Sequence, residues 1–130
     1  MVKFTYTILY VKDVNASITF YEKAFGFKRK FITPDNSYGE LSTGEATLSF
    51  ASVDLAKSNL SEGFMESNLD GKPFGIEIGF TTENVELVFN NAVKEGAIPV
   101  EKIKTKPWGQ LVGYVKDING LLIEICSPME

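Results

Sequence analysis

The sequence predicts an α+β fold assembled from two βαβββ modules, and three observations carry that expectation. Stretches of apolar–polar alternation mark strands, apolar stripes at helical spacing mark helices, and the order in which they occur is run through twice. With 130 residues and 44% hydrophobic content, the chain is long enough to bury a real core as a single domain.

The first strand is expected over 4–11, with Phe4, Tyr6, Ile8 and Tyr10 on one face and Thr5, Thr7, Leu9 and Val11 on the other, covered on both sides. Asp13 or Asn15 caps a helix whose Val14, Ile18, Tyr21 and Phe25 form one stripe, and Gly26 stops it. Strands are expected at 27–33, 38–42 and 46–51, separated by Pro34-Asp35-Asn36 and Thr43-Gly44 turns. The segment 52–72 loses periodicity, although 53–60 suits a short helix. Its Phe64-Met65 pair is too apolar for a plain linker and is expected either to fold back over a cleft or to pack on the surface.

From Pro73 the pattern returns: a strand at 74–80, an Asn84-capped helix with Val85, Phe89 and Ala92 on its stripe, a stop at Gly96, and strands at 98–104, 111–116 and 121–126. Residues repeat as well. Asp13-Val14 answers Asn84-Val85, Gly26 answers Gly96, and Tyr38-Gly39-Glu40-Leu41 answers Trp108-Gly109-Gln110-Leu111. The modules are therefore placed at about 1–52 and 73–130, joined by a connector at about 53–72. Neither can bury a sheet face alone, so they are expected to pair and to leave a cleft.

Asn119-Gly120 predicts a type I′ hairpin turn. Beyond it Leu121, Ile123 and Ile125 share one face, and Leu122, Glu124 and Cys126 the other, which puts one carboxylate among apolar residues. Lys102, Lys104 and Lys106 alternate as charges guarding an edge strand would.

Composition removes several function classes. The net charge of −4 argues against nucleic acid, which needs clustered Lys and Arg. The absence of histidine closes Ser-His-Asp and Cys-His chemistry and imidazole metal sites. A single cysteine excludes an internal disulfide and CxxC motifs, and Cys126 reads as a small buried hydrophobe. No apolar run approaches the roughly 20 residues that span a bilayer, and 1–11 goes straight into alternation, so neither membrane nor secretion is expected and the cytoplasm is the default.

Leu9-Tyr10-Val11-Lys12-Asp13-Val14 running into Ser17-Ile18-Thr19-Phe20-Tyr21, the Phe25-Gly26-Phe27 helix exit, Phe80 through Val85, and Asp117-Ile118-Asn119-Gly120 through Glu124 span nearly the whole chain. In order and spacing they resemble the vicinal oxygen chelate superfamily, which includes glyoxalase I, extradiol dioxygenases, and fosfomycin and bleomycin resistance proteins. The resemblance implies paired incomplete barrels around a cleft, and frequent homodimers. In the metal-dependent members it implies ligands at four strand positions, which fall on Tyr6, near Thr47, on Glu77 and on Glu124. Only the last two are strong ligands, and both are carboxylates. The chain thus reads as a member lacking the metal-binding histidines, with no metal, cofactor or catalytic residue assigned.

The expected function is metal-free binding of a small apolar or aromatic molecule, as in bleomycin and other antibiotic resistance proteins, by a homodimer. Tyr6, Phe50 and Tyr114, on strands expected to line the interior, offer aromatic surface, and Trp108, beside Pro107 at a loop-to-strand entry, suits stacking on a flat ligand. Glu77 and Glu124 supply polar anchors. The alternative is a glyoxalase-like lyase or isomerase, using a carboxylate-held Mg²⁺ or Mn²⁺ or a glutamate of raised pKa. A third reading fills the cleft with the chain's own side chains and leaves association with a partner as the role.

Overall fold

In each module the first strand lies parallel to the last, and the two middle strands complete the sheet antiparallel. The computed structural model describes residues 1–129, with element order β1 (Tyr6–Val11), α1 (Val14–Phe25), β2 (Lys28–Ile32), β3 (Tyr38–Ser42), β4 (Thr47–Ser52), α2 (Val53–Asn59), β5 (Glu77–Thr81), α3 (Val85–Lys94), β6 (Ile98–Thr105), β7 (Leu111–Lys116) and β8 (Leu122–Cys126). The chain divides into two compact units, Met1–Glu66 and Ser67–Glu130, with the boundary inside the expected connector. Each holds one four-stranded sheet of the same order, β1-β4-β3-β2 and β5-β8-β7-β6. No helix among the described residues is long and apolar enough to cross a membrane.

Local chemistry explains the helices. Asp13 sits in an extended conformation and its Oδ1 accepts from Ala16 N at 2.9 Å, while Gly26 takes the left-handed conformation, φ 75°, that ends α1. At α3 the expected cap is altered: the Asn84 side chain makes no cap bond, and its backbone N–H donates to Thr82 Oγ1 at 3.1 Å. Val85, Phe89 and Ala92 are the buried stripe of α3.

α1 and α3 each pack on one face of their sheet and leave the other without a helix of that kind. A close approach at one glycine per unit makes this possible. A Cβ on Gly39 would meet Ile18 Cδ1 of α1 at 2.5 Å, and one on Gly113 would meet Phe89 Cδ2 of α3 at 2.9 Å. Gly39 pairs with Phe50 and Gly113 with Ile125, so these glycines are structural equivalents. The repeat is therefore registered on Gly39 and Gly113, not on Gly39 and Gly109 as the sequence alignment has it. Leu9 pairs with Phe50 and Phe80 with Ile125, which makes Tyr6 and Glu77 equivalent as expected.

Residues with the parity of these glycines form the cores. In the first unit Ile18, Tyr21, Leu41 and Phe50 are fully buried; in the second Val115, Ile123 and Ile125 are. The opposite parity faces away from the helices, and there the expectation for β1 fails. Tyr6, Ile8 and Tyr10 remain exposed at 45%, 38% and 38%, because α1 lies on the other side of the sheet. Phe64 packs edge-on against Tyr10, ring centroids 4.8 Å apart, while its neighbour Met65 is exposed.

The β7–β8 turn also departs from expectation. Asn36 is the only non-glycine residue with positive φ among those described, so Asn119-Gly120 does not form a type I′ turn. Instead Gly120 N donates to Asp117 O at 3.1 Å, and the buried Asp117 Oδ1 accepts from Asn119 N at 2.8 Å and Leu121 N at 2.9 Å. The aspartate, not the Asn-Gly pair, organises the corner. β6 is the edge strand of the second sheet and carries Lys102 and Lys104.

Gly113→Ala should lower stability by about 1–3 kcal/mol, since Phe89 and Ile103 must move to admit a methyl group. Denaturant unfolding followed by circular dichroism checks this; an unchanged midpoint would contradict the close helix–sheet approach.

Candidate functional site

The helix-free face of the second sheet brings Glu77, Tyr114, Glu124 and Cys126 together. Tyr114 lies directly opposite Glu124 across the β7–β8 ladder, and Gly79 of β5 lies opposite it on the other side. Glu77, two residues before Gly79, shares its face. A Cβ on Gly79 would meet nothing within 4 Å, so the ground beside the Glu124 carboxylate is open.

Tyr114 Oη donates to Glu124 Oε1 at 2.9 Å, and the Glu77 and Glu124 carboxyls influence each other's ionisation. Burial and the neighbouring Glu124 carboxylate push the Glu77 pKa above its ordinary value. Glu124 moves the opposite way. Burial alone would raise it, but hydrogen bonds from Glu77, Cys126 and Tyr114 and the charge of Lys106 outweigh that and lower it. As pH rises, Glu77 therefore gives up its proton later than Glu124 does. Burial and the neighbouring carboxylates push Tyr114 up to about 12 and Cys126 up to about 11. Both remain neutral at physiological pH. The buried Cys126 thiol also lies 3.7 Å from Phe80 O.

Glu77, Tyr114 and Glu124 thus meet as the sequence reading expects, and the other named residues do not join them. Phe50 is a correction: it is fully buried on the helix side of β4, its ring 5.3 Å from Tyr21, and it serves the core. Tyr6 belongs to the bare face of the first sheet. Trp108, 62% exposed, stands in the turn between β6 and β7, its Nε1 donating to Gln110 Oε1 at 2.9 Å, beside a shallow pocket formed with Ser127, Pro128 and Met129. Sequence reasoning missed Tyr38 and Glu40, whose Oη–Oε2 bond of 2.7 Å lies on the first sheet. Their alternation along β3 signals a shared face.

The positions that the resemblance gives to metal ligands divide between the units. In the first, Thr47 Oγ1 accepts from Lys30 Nζ at 2.8 Å, which opposes a cation there. In the second, Glu77 and Glu124 are two carboxyls with no imidazole beside them, and among the described residues no three His, Cys, Asp or Glu side chains gather into a metal cluster. This donor set does not fit a tightly held divalent ion.

Two βαβββ units, each a four-stranded sheet with a helix on one face, define the class of fold. A family model for the Glyoxalase/Bleomycin resistance protein/Dioxygenase superfamily matches residues 3–125, and the chain belongs to this family. It is 33% identical over 121 residues to the uncharacterized protein YwbC of Bacillus subtilis (strain 168), covering 92% of each chain. Among solved structures it is similar to a glyoxalase-related enzyme from Fulvimarina pelagi, with TM-score 0.84, 19% identity, and 98% of this chain and 89% of that one covered. It is also similar to TioX from Micromonospora sp. ML1, with TM-score 0.72, 20% identity, and 98% and 100% covered. At these identities the structures support the fold alone.

The opposite shifts have opposite consequences for stability. Raised Glu77 stabilises the fold fully below its ordinary pKa of 4.5 and loses that contribution as pH rises through its raised value. Lowered Glu124 contributes above 4.5 and loses its part as pH falls through its lowered value. Glu77→Gln, which mimics the protonated acid, should melt higher than the parent at about pH 8, with the difference vanishing at about pH 4. A constant difference across that range in thermal melts would contradict the raised Glu77 pKa.

Proposed function

We propose that this chain is a small-molecule binding protein, akin to the drug-sequestering members of its family, that seats an apolar or aromatic compound against the bare face of the second sheet. The observation that carries this reading is the Tyr114-backed Glu77–Glu124 pair next to the open ground at Gly79. The pair presents a phenol donor and carboxyl oxygens, which suits a ligand with matching polar groups on an apolar body. The absence of histidine and the poor fit of the donor set to a divalent ion support a metal-free mode.

A second reading has its own observation. Two carboxyls displaced in opposite directions are the arrangement that separates a general acid from a general base. In that reading the chain is a lyase or isomerase in which Glu124 removes a proton and Glu77 returns one.

A thermal-shift screen of antibiotics and aromatic metabolites tests both. Binding at 100 times Kd stabilises by about 2.7 kcal/mol, a rise of several degrees, and Glu77→Ala combined with Glu124→Ala should abolish it. A flat response across the panel, or a shift that the double variant keeps, would overturn the assignment. Any compound that shifts the melt is then followed by NMR for product. Turnover that Glu124→Gln abolishes while binding persists would select the enzyme reading.

A further inference from the structure

Each unit sets a helix beside an edge strand, and the two units fill the gap between them differently. In the first, Arg29 of the edge strand β2 spans it: its Nη2 donates to Glu22 Oε1 at 2.9 Å and to Thr19 Oγ1 at 3.3 Å, both on α1. In the second, α3 and the edge strand β6 leave an open groove of about 420 Å³, with Phe89, Ile103 and Leu111 as its apolar lining and Glu86, Asn90 and Lys102 as its polar groups. Ile18 of α1 meets Gly39 as Phe89 of α3 meets the equivalent Gly113, so the next residues, Thr19 and Asn90, correspond. Asn90 thus stands where the first unit anchors its arginine.

The edge strand is shaped to this groove. Register shifts interrupt the β6–β7 ladder between Pro99 and Glu101 and again between Glu101 and Lys104. Glu101 pairs with Tyr114 and Lys104 with Val112, whose parity turns away from α3. The second shift lets two consecutive residues, Lys102 and Ile103, serve the α3 side: a Cβ on Gly113 would meet Ile103 Cγ1 at 3.0 Å, and Lys102 lines the groove. On the helix wall Glu86 and Asn90 lie four residues apart and share one face of α3. Among the described residues neither Glu86 nor Lys102 forms an ion pair, so a carboxylate and an ammonium border an apolar groove with their charges unmatched.

We propose that this groove binds a small zwitterion, a free α-amino acid with an apolar or aromatic side chain. Its ammonium lies by Glu86, its carboxylate by Lys102 and the Asn90 amide, and its side chain on Phe89, Ile103 and Leu111. A ligand of one charge would match one border group and leave the other unmatched, whereas an amino acid carries both complements on one carbon. An apolar lining with a few convergent polar groups, in a volume of this order, is what small-molecule sites have in common. The groove shares no residue with the Glu77–Glu124 site, which lies on the other side of the same sheet.

The test is an NMR amide-shift titration of the full chain with L-phenylalanine, N-acetyl-L-phenylalanine, L-phenylalaninamide and L-alanine. L-Phenylalanine should give saturable shifts centred on Glu86, Asn90, Lys102 and Ile103. Each blocked form, lacking one charge, should bind at least about threefold more weakly, and alanine, lacking the ring, at least about tenfold. Glu86→Gln should weaken L-phenylalanine by about threefold or more without changing the acetylated form, and Lys102→Met should do so without changing the amide. Glu77→Gln combined with Glu124→Gln should leave every affinity as it is. No saturable shift, equal affinity for any of the other three probes, or shifts centred on Tyr114 and Glu124 would overturn the proposal. If a variant fails to fold, the comparison of the probes on the parent chain still decides it.

Discussion

The constraint on which each unit depends is the parallel pairing of its first strand with its last. That pairing puts β4 and β8 inside their sheets, flanked on both sides, and fixes which residues of four strands share a face. Once α1 or α3 settles on one face, alternation sends every second residue to the other. Fully burying side chains such as Ile18, Tyr21, Phe50, Ile123 and Ile125 is worth about 1.5–3 kcal/mol each, which fixes the face the helices cover. Gly39 and Gly113 are the points where the absence of a side chain lets helix and sheet meet.

The same ladder delivers Glu124 between Tyr114 and Gly79, with Glu77 on the same face. Two unit charges about 4 Å apart repel by about 4 kcal/mol near a protein surface, so a pair in contact is relieved by retaining a proton. The asymmetry of its surroundings decides where that proton resides. Glu124 accepts from Tyr114 and feels Lys106, whereas Glu77 has burial and the Glu124 charge against its ionisation. The result is two neighbouring carboxyls whose pKa values are displaced in opposite directions.

Much of this was legible in the sequence. Element order, both helix stripes, the Asp13 cap and the Gly26 stop follow from periodicity and end chemistry, and β3 and β7 have the expected bounds. The Tyr6–Glu77 equivalence was legible too. Phe50 was misplaced although Thr47-Leu48-Ser49-Phe50-Ala51 alternates, because aromatic character was given more weight than parity: Leu48 and Phe50 are the apolar set and face the helix. The turn at Asp117 was misread because Asn-Gly draws attention from a buried carboxylate that satisfies two backbone N–H groups. The Tyr38–Glu40 pair was open to the same alternation, whereas the β-bulge between Arg29 and Phe31 is not announced by it.

The opposite displacement of the Glu77 and Glu124 carboxyls is open to direct measurement. Site-resolved side-chain carboxyl ¹³C titration by NMR measures it. The account predicts coupled curves, with Glu77 deprotonating above the ordinary range and Glu124 below it, and with Tyr114→Phe moving Glu124 upward. Two independent curves at the ordinary glutamate value, unaffected by Tyr114→Phe, would contradict it.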